Sequence, residues 1–336
     1  MKKKLRFFAA FILSLSAGLP VFAAKWTFNA EPTFGVRLGQ CKEILWRKKS
    51  SSEEYFRLSE LNYDILPALY LGANIGAQTK NFEIKFLSKF FLPVRCGNIR
   101  DSDWLNDLAY NNGDTLTKTD YSIHSLELKA TNAGLVGYDF ELQAAGKFYP
   151  TSFLILSPVV SINAQYMSFS AKNGIGYYGN YNSITRTRES WSNIFRRTIV
   201  EYEGKEIIDY EIYNFFLWTG IQACFMPADW ITLSLTSEVA MLSCFFDFDH
   251  HKTNDKHFFD IGLSSFRAFR QSVKAEFKIK KVFSLCQTTT FMFTGESHGT
   301  IYAKTIVDDS YKQISNTEAG SQMIYVDLQV SAKFSW

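Results

Sequence analysis

The last fourteen residues of the chain, MIYVDLQVSAKFSW, alternate between apolar and polar side chains with a period of two. One face carries Ile324, Val326, Leu328, Val330, Ala332, Phe334 and Trp336, and the other carries Tyr325, Asp327, Gln329, Ser331, Lys333 and Ser335. Because successive side chains of a β-strand point to opposite faces, the segment is predicted to be a strand with one apolar face. An aromatic carboxy-terminal residue on such a strand is typical of outer-membrane barrels, although strands of soluble sandwiches also alternate.

The same alternation recurs along the chain, for example in FGVRLGQCKEILW, NFEIKFLSKFF and WITLSLTSEV. Strands that cross lipid must close on themselves, since lipid cannot hydrogen-bond the backbone, and their outward face is then apolar. Tight turns are predicted at IGAQTKN, YPTS, MPAD and KIKKV, and long polar connections at 104–118, 173–205 and 306–318. Short turns at one end and long loops at the other are typical of bacterial barrels.

The chain is therefore predicted to be all-β: a ten-stranded antiparallel transmembrane β-barrel with long extracellular extensions. Several strands exceed the roughly 9–11 residues that cross a bilayer, so the barrel should project beyond the membrane. The predicted strands are 33–47, 54–73, 80–101, 119–149, 152–172, 206–225, 229–250, 257–281, 282–305 and 318–336.

The amino-terminal segment predicts export. Lys2, Lys3, Lys4 and Arg6 precede the apolar run FFAAFILSLSAGLPVF and a Val-x-Ala site, which is the pattern of a cleaved signal peptide. The predicted organisation is a signal peptide at 1–23 and a single barrel domain at 24–336, located in the bacterial outer membrane.

Composition excludes several functions. Of 36 basic and 33 acidic residues, the predicted leader holds four basic ones and no acidic one, so the remaining charges nearly balance and no nucleic-acid partner is expected. The five cysteines show no paired spacing, which argues against a disulfide framework or a zinc site. The motif GIGYYG formally fits a nucleotide-binding pattern, but no helical pattern follows it.

Two clusters of ionisable residues end predicted strands on the loop side of the barrel. Asp101 and Asp103 occur in RDSDWL, and Asp247, Asp249 and His251 occur in DFDHH. Since residues two apart point the same way on a strand, each cluster can direct its groups together. A small barrel is filled by its own side chains, so function is expected at this rim.

The strand that carries DFDHH poses a question of register. Ile231, Leu233 and Leu235 place odd-numbered residues on the lipid face, which would turn Asp247 outward. Either a β-bulge intervenes, or the strand has left the membrane and both of its faces are wet. The pattern alone leaves both alternatives open.

Several segments, in order along the chain, resemble the omptin family of bacterial outer-membrane proteases. They are CKEIL, LSELNYD, CGNIRDSDWLN, TDYSIH, YDFEL, YMSFSAKNG and DFDHH. The resemblance implies an Asp249–His251 pair that faces Asp101 and Asp103 across the barrel mouth. His251 would take a proton from a water held by Asp101, and that water would attack a peptide carbonyl without an acyl-enzyme, Ser122 being only a neighbour.

The resemblance also implies a substrate. In the family, acids of the pocket for a basic side chain match Glu43 and Asp247, an acid on the primed side matches Asp120, and the signature histidine matches His124. The expected activity is an aspartic-type, metal-independent endopeptidase that cleaves basic peptides and proteins, with its active site facing the exterior and no cofactor.

The chain departs from the family pattern in three places. Lys118 and Ser125 replace the Trp and Pro of the signature, and about five extra residues separate Asp103 from Asp120. INAQY lacks an Arg that in the family belongs to a lipopolysaccharide-binding cluster, which puts that lipid requirement in doubt, although a lipid environment is still expected.

Two alternatives remain from the residues. The Asp/His run 247–257 has ligands that suit zinc or nickel, and loss of proteolysis on chelation would indicate such a metal. A non-catalytic barrel, whether adhesin, structural protein or narrow channel, would not hydrolyse peptides that contain Arg or Lys.

Overall fold

The computed structural model describes residues 25–48, 55–104, 126–182, 184, 187–305 and 310–336. In these ranges the chain forms fifteen strands: β1 Thr27–Lys48, β2 Tyr55–Gln78, β3 Phe82–Val94, β4 Asn98–Asp103, β5 Leu126–Gly146, β6 Leu154–Gly179, β7 Tyr181–Asn182, β8 Thr187–Arg188, β9 Arg197–Ala228, β10 Ile231–His251, β11 Lys256–Ser264, β12 Ala268–Lys280, β13 Phe283–Thr294, β14 Gly299–Thr305 and β15 Lys312–Ser335. In the described part of the chain, no helix has the length and hydropathy of a membrane-spanning segment.

The strands form one closed antiparallel ring, in which β15 pairs with β1. Three strands are interrupted and continue along the same line: β3 into β4, β11 into β12 and β13 into β14. Taking each such pair as one position leaves ten positions around the ring among the described residues, and β7 and β8 form a separate hairpin. The predicted all-β barrel is confirmed.

The two ends of the barrel differ as predicted. Short connections join the strands at one end: 79–81, 147–153, 229–230 and 281–282. At the opposite end, two predicted connections were too long: 173–205, because β6 continues to Gly179 and β9 begins at Arg197, and 306–318, because β15 begins at Lys312. All of the predicted connection 104–118 except Trp104 lies outside the described residues. Above a membrane both faces of a strand contact water, so both can carry polar residues. The alternation of apolar and polar residues that predicts a strand is then lost.

An apolar belt covers the outside of the barrel near the short connections. Its outward side chains include Phe34 at 48% exposed, Leu71 at 52%, Ile162 at 62%, Ile221 at 62% and Val330 at 56%. The belt covers 28–38 on β1, 66–75 on β2, 84–90 on β3, 136–142 on β5, 156–162 on β6, 215–225 on β9, 233–242 on β10, 263–277 on β11 and β12, 285–293 on β13 and 328–334 on β15. These segments span the bilayer, and the longer strands continue above them as the extracellular extension.

Inside the belt, the barrel is filled by paired charges. The guanidinium of Arg37 donates to Asp327 at 2.7 Å and to Asp139 at 2.8 Å, and Lys89 lies 2.6 Å from Asp327. Arg270 likewise bridges other acids of the same interior, Glu141 and Glu238. We call this set the lower network.

Aromatic rings fill the interior above the belt. Tyr63 stacks on Tyr210 with ring centroids 4.5 Å apart and lies 5.0 Å from Phe169. All three are buried. The interior of the barrel is therefore packed at this level, and these aromatic rings close it from below.

Candidate active site

The upper half of β10 faces inward because the strand contains a β-bulge. The pairing of β10 with β9 shifts by one residue between Ala240 and Leu242, which leaves Met241 as the extra residue. Below the bulge the even-numbered Glu238 and Ala240 are buried, and above it the odd-numbered Asp247 and Asp249 are buried at 1% and 2% exposed. The bulge is the first of the two alternatives left open by the sequence, and it turns Asp247 into the barrel.

Asp249 and His251 form a hydrogen-bonded pair at the upper end of β10. His251 Nε2 lies 2.6 Å from Asp249 Oδ2, and the imidazole contacts the edge of Phe258 from β11. Since Asp249 occupies Nε2, Nδ1 is the ring nitrogen left to meet a reactant. The pair has the geometry in which a carboxylate orients a general-base imidazole.

Asp101 lies on β4, across the interior from β10. Its neighbours in the ladder are Leu61 of β2 and Leu128 of β5, and it is 7% exposed. Burial by itself would lower the pKa of His251, but Asp249, and after it Asp101 and Asp103, outweigh that effect and raise the pKa to about 9. The two Asp residues of β4 are therefore close enough to the imidazole of β10 to influence it electrostatically.

Three further acids lie below the pair. Glu43 of β1, Asp247 of β10 and Asp260 of β11 are 1%, 1% and 0% exposed. Asp247 and Asp260 are directly opposite each other in the ladder, where like charges repel. We call Glu43, Asp247 and Asp260 the acidic pocket.

The acidic pocket has no cationic partner among the described residues. Asp247 accepts a hydrogen bond from Tyr210 Oη at 3.1 Å, but its Oδ1, Glu43 Oε2 and both carboxylate oxygens of Asp260 are buried without a protein hydrogen-bond partner there. A buried acceptor without a donor is costly, by roughly 1–3 kcal/mol. The pocket is therefore suited to receive a ligand that brings its own donors and positive charge.

The carboxyl groups of the pocket hold their protons more tightly than free carboxyls do. Burial raises the pKa of Glu43, and the charges of Asp249 and Asp247 raise it further. Burial also raises the pKa of Asp260, with Asp247 adding to the effect. For Asp101, burial and Asp103 raise the pKa, while His251 opposes them. Such coupled, desolvated acids are typical of functional sites.

The structure brings together six of the eight residues predicted from the sequence: Glu43, Asp101, Asp103, Asp247, Asp249 and His251 all lie in the upper barrel. Asp120 and His124 lie outside the described residues, as does Ser122. Sequence reasoning missed Asp260 and Tyr210. A turn predicted at KTND would have placed Asp260 opposite Asp247. Nothing in the sequence around Tyr210 distinguishes it from the other tyrosines.

Comparisons with known proteins identify the family and the fold of the chain. The family model described as the Omptin family matches residues 24–336. The crystal structure of the outer membrane protease OmpT from Escherichia coli superposes with a TM-score of 0.76 at 13% identity, over 95% of this chain and 99% of that chain.

The translocator domain of the autotransporter NalP from Neisseria meningitidis reaches a TM-score of only 0.30 at 10% identity, over 98% of this chain and 95% of that chain. That score is too low to support an argument. A comparison with curated protein sequences found no match. The family match and the barrel fold together show that the chain is a barrel of the bacterial outer membrane and belongs to the omptin family.

Proposed function

We propose that this protein is an endopeptidase that cleaves peptides and proteins beside basic residues, with water activated between the Asp249–His251 pair and Asp101. The observation that carries the proposal is a buried acidic pocket directly beneath a hydrogen-bonded Asp–His pair, with no protein cation to neutralise it among the described residues. Family membership, and the printed name of the E. coli protease, support the reaction class.

The proposed reaction begins at His251. Neutral His251 accepts a proton from water at Nδ1 while Asp249 holds the Nε2 proton, so the tautomer is fixed. The water oxygen bonds to the scissile carbonyl carbon, and the imidazolium then returns its proton to the departing amine. Asp101 holds the same water from the opposite side, with Asp103 as its neighbour on β4. No metal takes part in this scheme.

The acidic pocket supports a preference for Arg or Lys. A guanidinium carries five donors and could satisfy the carboxylate oxygens of Glu43, Asp247 and Asp260 that have no partner. The resemblance to the family adds Asp120 and His124 as proposed contacts of the primed side. Loops on the extracellular side give such a site access to substrates outside the cell.

The test is hydrolysis of a quenched peptide that contains Arg-Arg. The protein would be expressed in a bacterium without an omptin of its own and extracted in detergent from its outer membrane. His251→Ala and Asp249→Asn should each abolish most of the cleavage. His298→Ala is the matched control, because this histidine lies outside the pocket and bonds Glu318 at 3.0 Å.

Equal cleavage by the wild type, His251→Ala and His298→Ala would overturn the assignment of His251. An intact, folded wild type that cleaves neither Arg-Arg nor Lys-Lys peptides would favour a non-catalytic barrel.

A further inference from the structure

A second group of ionisable side chains lies at the tip of the β10–β11 hairpin, on its outer face. It consists of His250 at the end of β10, Asp255 in the turn and His257 at the start of β11. His250 and His257 are opposite each other in the ladder. Because successive residues of a strand alternate in direction, His250 points away from the interior that receives Asp249 and His251.

The three side chains already have the spacing of metal ligands. His250 Nε2 lies 3.0 Å and His257 Nε2 lies 3.4 Å from the same oxygen, Asp255 Oδ1. One ligand atom from each residue lies within 4.8 Å of the others. In a tetrahedral site with metal–ligand bonds of about 2.0–2.1 Å, ligand atoms are roughly 3.3 Å apart. The two imidazoles are stacked, with ring centroids 3.9 Å apart, so an ion could enter once one ring rotates to direct its nitrogen at the shared point.

The donor set selects the kind of ion. Two imidazoles and one carboxylate suit Zn²⁺, Ni²⁺ and Cu²⁺, whereas Mg²⁺ and Ca²⁺ prefer oxygen ligands throughout. The neighbouring carboxylate of Asp209 lies opposite His250 in the ladder but is held by Lys252 at 2.5 Å. Three protein ligands would thus leave one coordination position for water.

We propose that His250, Asp255 and His257 form a transition-metal site that fastens the ends of β10 and β11 together. The site goes beyond the proposed peptidase function, because none of its ligands belongs to the acidic pocket or to the Asp249–His251 pair. The metal has no part in hydrolysis, and it makes the hairpin tip more rigid. His251 sits one residue from a ligand but on the opposite face of the hairpin.

Zinc binding to the detergent-extracted protein tests the site, with Zn²⁺ alone as the titrant in a calorimeter. The wild type should bind one ion, and His257→Gln and Asp255→Asn should each weaken binding. Replacing an outer-shell partner already costs roughly 10–100-fold in affinity, so loss of a direct ligand should exceed that. Asn suits the turn, since Asp255 has a φ of 51° and Asn tolerates this left-handed conformation.

The matched control is His251→Ala, which should retain full zinc affinity even where it abolishes proteolysis. In the wild type, Zn²⁺ should also slow amide hydrogen exchange across 250–257, and His257→Gln should lose that protection. Equal affinity in the wild type and His257→Gln, with both folded, would overturn the proposal. Loss of binding in His251→Ala would do so as well, since it would move the ion to the interior.

Discussion

Buried acids in the two halves of the barrel interior differ in whether a cation pairs with them. In the lower network, Asp327 is met by Arg37 and Lys89, and Glu141 is met by Arg270. In the acidic pocket, Glu43, Asp247 and Asp260 are as deeply buried but meet no cation among the described residues. The lower charges neutralise one another where the barrel crosses lipid, whereas the upper acids keep buried carboxyl oxygens that have no hydrogen-bond partner among the described residues.

The largest expected effect is on the rate of hydrolysis, which should depend on the upper region of the interior and not on the lower network. Asp101→Asn, in the upper region, should lower kcat by about 10²–10⁴-fold, because general acid–base groups contribute on this scale. Asp139→Asn is the matched change in the lower network, where Asp139 accepts from Arg37. It should leave kcat of the folded protein nearly unchanged. Steady-state hydrolysis of the Arg-Arg peptide measures both, and a similar kcat loss in the two variants would contradict the division.

The second effect is on stability, for which the lower network should be the more sensitive of the two regions. Arg37→Met leaves Asp139 and Asp327 buried with fewer partners, which should lower the free energy of unfolding by roughly 3–5 kcal/mol. Glu43→Gln replaces a buried carboxyl group that has no cationic partner among the described residues and should cost no stability. Denaturant titration of the protein in lipid vesicles measures both changes. Equal losses would mean that Glu43 has a stabilising partner after all.

Raising the pH should increase hydrolysis and lower stability together. With a pKa of about 9, His251 is protonated at neutral pH and becomes a base as pH rises from 7 to 9, for a gain of about 50-fold. Its folded pKa lies above its ordinary value of 6.5, so the stability it contributes is complete below 6.5 and is lost through about 9. The raised pKa values of Glu43 and Asp260 act in the same direction.

Parallel pH titrations of kcat and of the free energy of unfolding would check this expectation. A rate that falls steadily between pH 7 and 9 would contradict a general base with a raised pKa. In His251→Ala the stability should fall less over this range, since the contribution of the imidazole is then gone.

A smaller effect concerns substrate choice. Asp247→Asn removes one charge from the acidic pocket and should reduce the preference for Arg over Gln beside the scissile bond by roughly tenfold or more, since a hydrogen bond to a charged group is worth about 1.5–3 kcal/mol. The ratio of kcat/KM for two matched peptides measures the preference. An unchanged ratio would show that the basic side chain binds elsewhere.

The smallest expected effect is a gain. Asp260→Asn removes one of two like charges that face each other across the ladder, and should raise the free energy of unfolding by roughly 0.2–1 kcal/mol. Asp327→Asn, which weakens contacts to Arg37 and Lys89, should lower it. The same vesicle titration compares the two variants, and a stability loss in Asp260→Asn would assign that residue a structural role.

The sequence predicts the barrel well because lipid permits few solutions: a strand such as 324–336 must be apolar on one side and polar on the other. Charge clusters near strand ends made Asp101 and His251 candidate site residues, since residues two apart share a face, and their role stays a prediction. Other features depend on how strands pair. The interruption between β3 and β4 and the position of Asp260 opposite Asp247 follow from the register, which a single strand does not encode.

Because of the bulge at Met241, the number of residues in β10 decides which face of the strand each later side chain occupies. Removing Met241 would join Ala240 and Leu242 in a regular ladder and leave Asp247, Asp249 and His251 facing the interior. A single deletion in the regular part of β10 beyond the bulge would instead exchange the two faces of every later residue of the strand. Apart from loss of Met241 itself, insertions or deletions in β10 between the bilayer and the hairpin tip should therefore keep the proposed site residues facing inward only when they come in twos.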